Sequence, residues 1–144
     1  MKKINFTITI LILILVSFNG FGQKDDDVSS PIIPLEFKEL REKAEEMLSF
    51  NPDSAKVYSD QLMQMAKDYK SDRLLAIALI MKLKTNDSAK DDLDLNKKSL
   101  AINIKLNAVD EIARNYMLFG VIYLNKADYT NAVYYFNKSL DISK

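Results

Sequence analysis

From Leu35 onward, apolar residues recur every three or four positions, the spacing that lines one face of an α-helix. Leu40, Ala44, Met47 and Leu48 share a face of a first helix. The stretch Phe50-Asn51-Pro52-Asp53 ends it and opens a second: Asn51 suits the N-cap, Pro52 the N1 position, where no N–H is needed, and Asp53 the positive end of the helix dipole. In this second helix Ala55, Tyr58, Leu62, Met65, Ala66 and Tyr69 form one stripe, with Lys56, Asp60, Gln64 and Lys67 opposite. Ser71-Asp72 opens a third helix, and Leu74 to Met81 is apolar around most of its circumference, as in a helix covered by neighbours on several sides. Thr85-Asn86-Asp87-Ser88 breaks the pattern, and a more polar fourth helix runs to about Leu106 with Leu93, Leu100 and Ile104 facing inward. Turns at Asn107 to Asp110 and Asn125 to Asp128 set off a fifth and a sixth helix. The pattern predicts an all-α body of six helices in three antiparallel hairpins, about 35–70, 71–107 and 110–144.

The chain before this body has a different character. Lys2 and Lys3 precede an apolar run from Ile4 to Phe18, and Asn19-Gly20-Phe21-Gly22-Gln23 comes next with small residues. This order is that of a secretory signal peptide, residues 1–22, cleaved near Gly22. The run is short of the roughly 20 apolar residues a membrane span needs, and it contains Asn5, Thr7 and Thr9. The expectation is therefore an exported protein, periplasmic or secreted by a bacterium, held at the membrane only if the signal stays uncleaved. Residues 23–34 carry two prolines and no helical period, which predicts an extended spacer. Its Asp25-Asp26-Asp27 run lacks the spaced oxygens and glycine turn of a calcium loop and reads as solvated.

Composition narrows the chemistry. Twenty basic and twenty acidic side chains balance, so the basic footprint of a nucleic-acid binder is missing. The chain has no histidine and no cysteine, which removes the commonest general base, thiolate nucleophiles, disulfides and most zinc sites. Three glycines, two of them in the signal, cannot build a phosphate-cradling loop. Asp91, Asp92 and Asp94 lie together on the fourth helix but without the nitrogen ligands or glycine turn that accompany a metal site, and they read as a solvated face. No catalytic residue, cofactor or metal is expected, and no nucleic-acid partner.

The body repeats itself. Lys98-Ser99-Leu100-Ala101-Ile102 recurs as Lys138-Ser139-Leu140-Asp141-Ile142, an offset of 40 residues that also pairs Leu79 with Phe119 and Leu83 with Tyr123. The sharpest pattern is in the last hairpin, where Tyr116, Phe119, Gly120 and Tyr123 are followed by Tyr129, Ala132, Phe136 and Ser139-Leu140. This resembles the tetratricopeptide repeat (TPR), in which large and small residues of a first helix mesh with a small residue and an aromatic on the second. The resemblance implies a short TPR-like α-solenoid, with Tyr116, Phe119, Gly120, Tyr123, Tyr129, Ala132 and Phe136 packing the repeat. Gly120 is expected to permit close approach of the stretch around Ala132. The match is strong from Ala113 on and departs before it, with Ile80 where the small residue belongs and Asp92 where alanine belongs.

The same resemblance implies a protein-interaction scaffold whose first helices line a concave groove. Its groove positions fall on Arg114, Met117, Val121, Leu124 and Asn125, mostly apolar, which suits a peptide or helix of another protein, or a further repeat, better than a carboxylate-capped tail. Seven of the eleven aromatics after the signal lie between Tyr116 and Phe136, and Tyr134-Tyr135-Phe136 are consecutive, so aromatic surface at Tyr134 and Tyr135 is expected to need a cover. More loosely, a leader followed by hairpins resembles the extracytoplasmic sensing region of bacterial sensor histidine kinases and transcriptional regulators. An alternative function is thus the sensing segment of a membrane-bound signal-transduction protein.

Overall fold

The computed structural model describes residues 32–86 and 91–143. Residues 1–31, 87–90 and 144 lie outside the described residues, as do the expectations of a signal and of most of the spacer that fall on them. Among the described residues six α-helices succeed one another: α1 (Leu35–Phe50), α2 (Pro52–Asp68), α3 (Asp72–Lys84), α4 (Asp92–Lys105), α5 (Val109–Asn125) and α6 (Tyr129–Ile142). No strand occurs among them.

The helix boundaries reflect the local chemistry. The Asn51 side chain accepts from the Ser54 amide at 3.1 Å, with Pro52 at N1, so two helices meet across a single residue. Ser71 caps α3 by accepting from the Leu74 amide at 3.3 Å, and Asp128 caps α6 by accepting from the Asn131 amide at 3.2 Å. Helices α2, α4 and α5 each end in a residue with positive φ: Lys70 (50°), Asn107 (51°) and Ala127 (57°). The next amides, of Ser71, Ala108 and Asp128, reach back to the carbonyls of Ala66, Asn103 and Tyr123. These are Schellman closures made without glycine.

Each helix packs on the next, and beyond sequence neighbours α1 also meets α3. Cross-helix bonds fix the directions. The Tyr69 hydroxyl at the end of α2 donates to Glu36 at the start of α1, and Lys105 at the end of α4 pairs with Asp72 at the start of α3 at 2.7 Å. Successive helices are therefore antiparallel. Lys84 of α3 lies 3.6 Å from Glu45 of α1, each near the end of its helix, so these two run parallel.

An apolar core cluster joins the first three helices: Phe37, Ala44, Leu62, Ala66, Leu74, Ala78 and Met81. Phe37 is fully buried, which is worth about 1.5–3 kcal/mol of transfer free energy. As the sequence predicts, α3 is covered on several sides, by α1, α2 and α4. Two expectations need correction. Tyr69 is 48% exposed, because its hydroxyl serves Glu36 at the surface. In α4, Ile104 is 52% exposed, while the buried face consists of Asn96, Ser99 and Asn103.

The structural spacing also differs from the sequence offset. Helices α3 and α5 start at Asp72 and Val109, and α4 and α6 at Asp92 and Tyr129, so both pairs recur after 37 residues. The recurring Lys-Ser-Leu stretch consequently sits one turn later in α6 than in α4. Both serines still reach the first helix of their hairpin: Ser99 donates to the Ala76 carbonyl at 3.2 Å and Ser139 to the Ala113 carbonyl at 2.8 Å.

Candidate interaction surface

The hairpin of α5 and α6 closes around a glycine. A Cβ placed on Gly120 would stand 2.5 Å from Cδ1 and Cε1 of Phe136, so the ring occupies the space a side chain would need. Close approach is therefore real, and its partner is Phe136, one turn beyond the expected Ala132, which is itself buried. Beside this contact the Tyr135 ring lies 5.0 Å from Phe119, 5.4 Å from Tyr123 and 6.2 Å from Tyr116, stacked on both tyrosines. Burial, and then the neighbouring tyrosines, push the Tyr135 hydroxyl pKa up. Lys138 closes the cluster, with its ammonium 5.2 Å over Tyr116 and 5.0 Å over Tyr134. Its pKa is raised, first by its side-chain bond to Tyr134.

Three sequence assignments change or sharpen here. Tyr135 belongs with the packing residues, since α6 turns it into the rings of α5, and it is not displayed for a partner. Tyr129, expected to pack the repeat, is 65% exposed, because it starts α6 on the side away from that cluster. Tyr134 is displayed, 51% exposed and edge-on to Tyr135.

The five groove positions all lie on the exposed side of α5. Met117, Val121 and Leu124 are 44%, 38% and 46% exposed; Arg114 pairs with Glu111 at 3.4 Å, and Asn125 ends the helix in solvent. A second exposed stripe runs along α6 through Tyr129, Val133 and Leu140. The stripes flank one groove. At one end a depression of about 370 Å³ is lined by Asp110, Ala113, Arg114 and Met117 of α5 and by Ser139 and Ser143 of α6, and along the floor Phe136 covers Gly120.

The other side of α5 is engaged, and by chemistry that hydropathy does not register. Asn115 is buried against α4, where its Nδ2 donates to Asn96 Oδ1 at 2.8 Å and its Oδ1 accepts from Asn103 Nδ2 at 2.7 Å. Asn96 in turn donates to the Asn115 carbonyl at 2.9 Å. The signal available in the sequence was the spacing of Asn96, Ser99 and Asn103, a helical stripe of polar residues. The α4 carboxylates are committed locally: Asp92 accepts from Asn86 at 3.0 Å, and Asp94 pairs with Lys98 at 2.9 Å, which lowers its pKa. Among the described residues no group of three or more metal-ligating side chains is placed to hold a metal, and no helix is long and apolar enough to cross a membrane.

No protein-family model, curated protein or solved structure matches this chain. Its likeness to the tetratricopeptide repeat rests on its own residues.

Proposed function

We propose that this protein is a non-catalytic interaction scaffold: an exported, TPR-like α-solenoid that receives a helix or peptide of another protein on its last hairpin. The observation that supports this most directly is the apolar groove between Met117, Val121 and Leu124 on α5 and Tyr129, Val133 and Leu140 on α6, all more than one-third exposed. Contiguous apolar surface of this kind on a folded domain marks a contact site. Sequential antiparallel packing of the helices, with α1 also touching α3, suits an open stack of hairpins and favours the solenoid over a closed bundle.

The test uses a photo-crosslinking amino acid at Val121, in the groove, and at Glu42, on the exposed polar side of α1, in the full chain expressed with its native leader. A discrete protein adduct at Val121 and none at Glu42 is the expected result. The absence of any adduct at Val121 would refute the groove as a binding site. Fractionation of the same cells tests export, which predicts the chain outside the cytoplasm with Gln23 as its first residue. A second reading, the sensing segment of a membrane-bound histidine kinase or regulator, is favoured by the hairpins recurring behind a signal-like leader. Sequencing the DNA beyond codon 144 tests it: a membrane span and effector domain are expected, and an immediate stop codon eliminates it.

A further inference from the structure

The second helices of the first two hairpins use corresponding positions to meet the next part of the chain. In α2, Ser59 is fully buried and shares a hydrogen bond of 2.9 Å with Thr85, just past the end of α3. In α4, Asn96, Ser99 and Asn103 are buried, and Asn96 and Asn103 bond to Asn115 of α5. A shift of 37 residues from α4 to α6, the helix-start spacing, leads to Val133, Phe136 and Leu140. Val133 and Leu140 are 58% and 57% exposed. The face that receives the next helix in the earlier hairpins is thus apolar and uncovered in the last one.

Chemistry selects the occupant. A helix like α5 would bring the amide of Asn115 against Val133 and Leu140, where no side chain could bond it, and a buried amide without a partner is destabilising. The outer face of α1 is equally unsuited, since its Glu39, Glu42, Lys43 and Glu46 are exposed charges that would have to be desolvated against an apolar surface. The groove of α5 and α6, with six exposed apolar side chains on two neighbouring helices, is a matching apolar face for it. We infer that two copies pair through it about a two-fold axis, each groove covering the other. The inference rests on the reading of this face as a protein-binding site and names the partner as a second copy.

Area and charge fit this arrangement. From their fractional exposures, Met117, Val121, Leu124, Tyr129, Val133 and Leu140 present about 500 Å² of apolar surface per copy. That is the apolar share of a standard interface of about 800 Å² per partner. Asp110 and Glu111 lie at one end of α5 and Lys126 in the turn at the other. Antiparallel pairing of two grooves sets Lys126 of each copy beside the carboxylates of its mate, and the contact closes on itself without forming a filament.

Sedimentation equilibrium of the full chain is expected to show a concentration-dependent dimer. Val133→Glu with Leu140→Glu is expected to give a monomer with unchanged helical circular dichroism, whereas Phe50→Glu, at an 80% exposed site on α1, leaves the dimer intact. Lys126→Glu is expected to weaken the dimer about tenfold through its two symmetric pairs, and adding Asp110→Lys to restore it. A chain that stays monomeric, or a dimer indifferent to the Val133 and Leu140 substitutions, overturns the inference. The mass of the Val121 adduct separates the two readings of this face: dimer mass supports self-pairing and overturns a different protein as the occupant, a different mass keeps the scaffold and overturns self-pairing, and no adduct overturns both.

Discussion

Gly120 is a position where local and tertiary preferences oppose each other. A glycine within a helix costs about 0.5–1 kcal/mol relative to alanine, yet a Cβ here would press on three atoms of the Phe136 ring, Cγ among them at 2.9 Å. Because Cγ is next to the ring's attachment to the backbone, the ring cannot swing clear without moving α6. Gly120→Ala should therefore destabilise the chain by about 1–3 kcal/mol despite its better helix propensity, and Gly120→Ala with Phe136→Leu should recover most of that loss in urea unfolding. An alanine variant as stable as the parent would show that the helices can part at no cost. This contact was half legible in the sequence: a lone glycine amid aromatics announces a close approach, but not which ring fills it. The run Tyr134-Tyr135-Phe136 shows why. Successive residues point about 100° apart on a helix, so the three rings go to solvent, to Tyr116, Phe119 and Tyr123, and to Gly120, and only the assembled hairpin decides which goes where.

At the scale of the element, α4 shows the limit of reading helices by hydropathy. Its C-terminal end and helical nature were evident, but the inward face inferred from Leu93, Leu100 and Ile104 is rotated from the one the molecule buries, Asn96-Ser99-Asn103. Polar side chains can occupy a core when they satisfy one another, and whether they do depends on Asn115, nineteen residues beyond Asn96. In α2 and α3, by contrast, apolar periodicity and burial largely coincide, because the cluster they share is apolar; the buried Ser59–Thr85 bond is the exception. The asparagine seam should set register more than it adds stability. Removing one member by Asn115→Ala leaves Asn96 and Asn103 short of partners, at about 1–3 kcal/mol for each group stranded. Replacing all three asparagines with leucine, which branches alike but is bulkier, should leave the chain more stable in urea than Asn115→Ala despite some overpacking, since no amide is then buried unpaired. A triple variant as unstable as Asn115→Ala would mean that the hydrogen bonds themselves hold α5 to α4.

The whole molecule combines these units into a chain whose charge changes little near neutrality. With no histidine, no side chain has an ordinary titration range between pH 5 and 8, so stability should be level there and fall on both sides for separate reasons. On the acid side, Asp128 is held below its usual pKa, chiefly by the Asn131 side chain and then its amide, and Asp94 by Lys98. A lowered carboxylate stabilises the fold fully above its unfolded value, and that contribution is lost as pH falls through the lowered one, below about pH 4. On the alkaline side, Lys105 is raised by its bond to Asp72, Lys138 by its bond to Tyr134, and Tyr135 by burial. These groups hold their protons more tightly when folded, so their contribution is complete below their unfolded values and disappears as pH climbs through the raised ones, above about pH 10. The exposed pairs make shallow slopes; Tyr135, set among four rings, makes the alkaline slope steeper. Melting temperature against pH should thus be flat from about pH 5 to 8, with Tyr135→Phe softening the alkaline fall and Asp128→Asn the acid one while keeping the α6 cap. A step in melting temperature near pH 6.5 would contradict this assignment of the titrating groups, because nothing in the side-chain inventory titrates there.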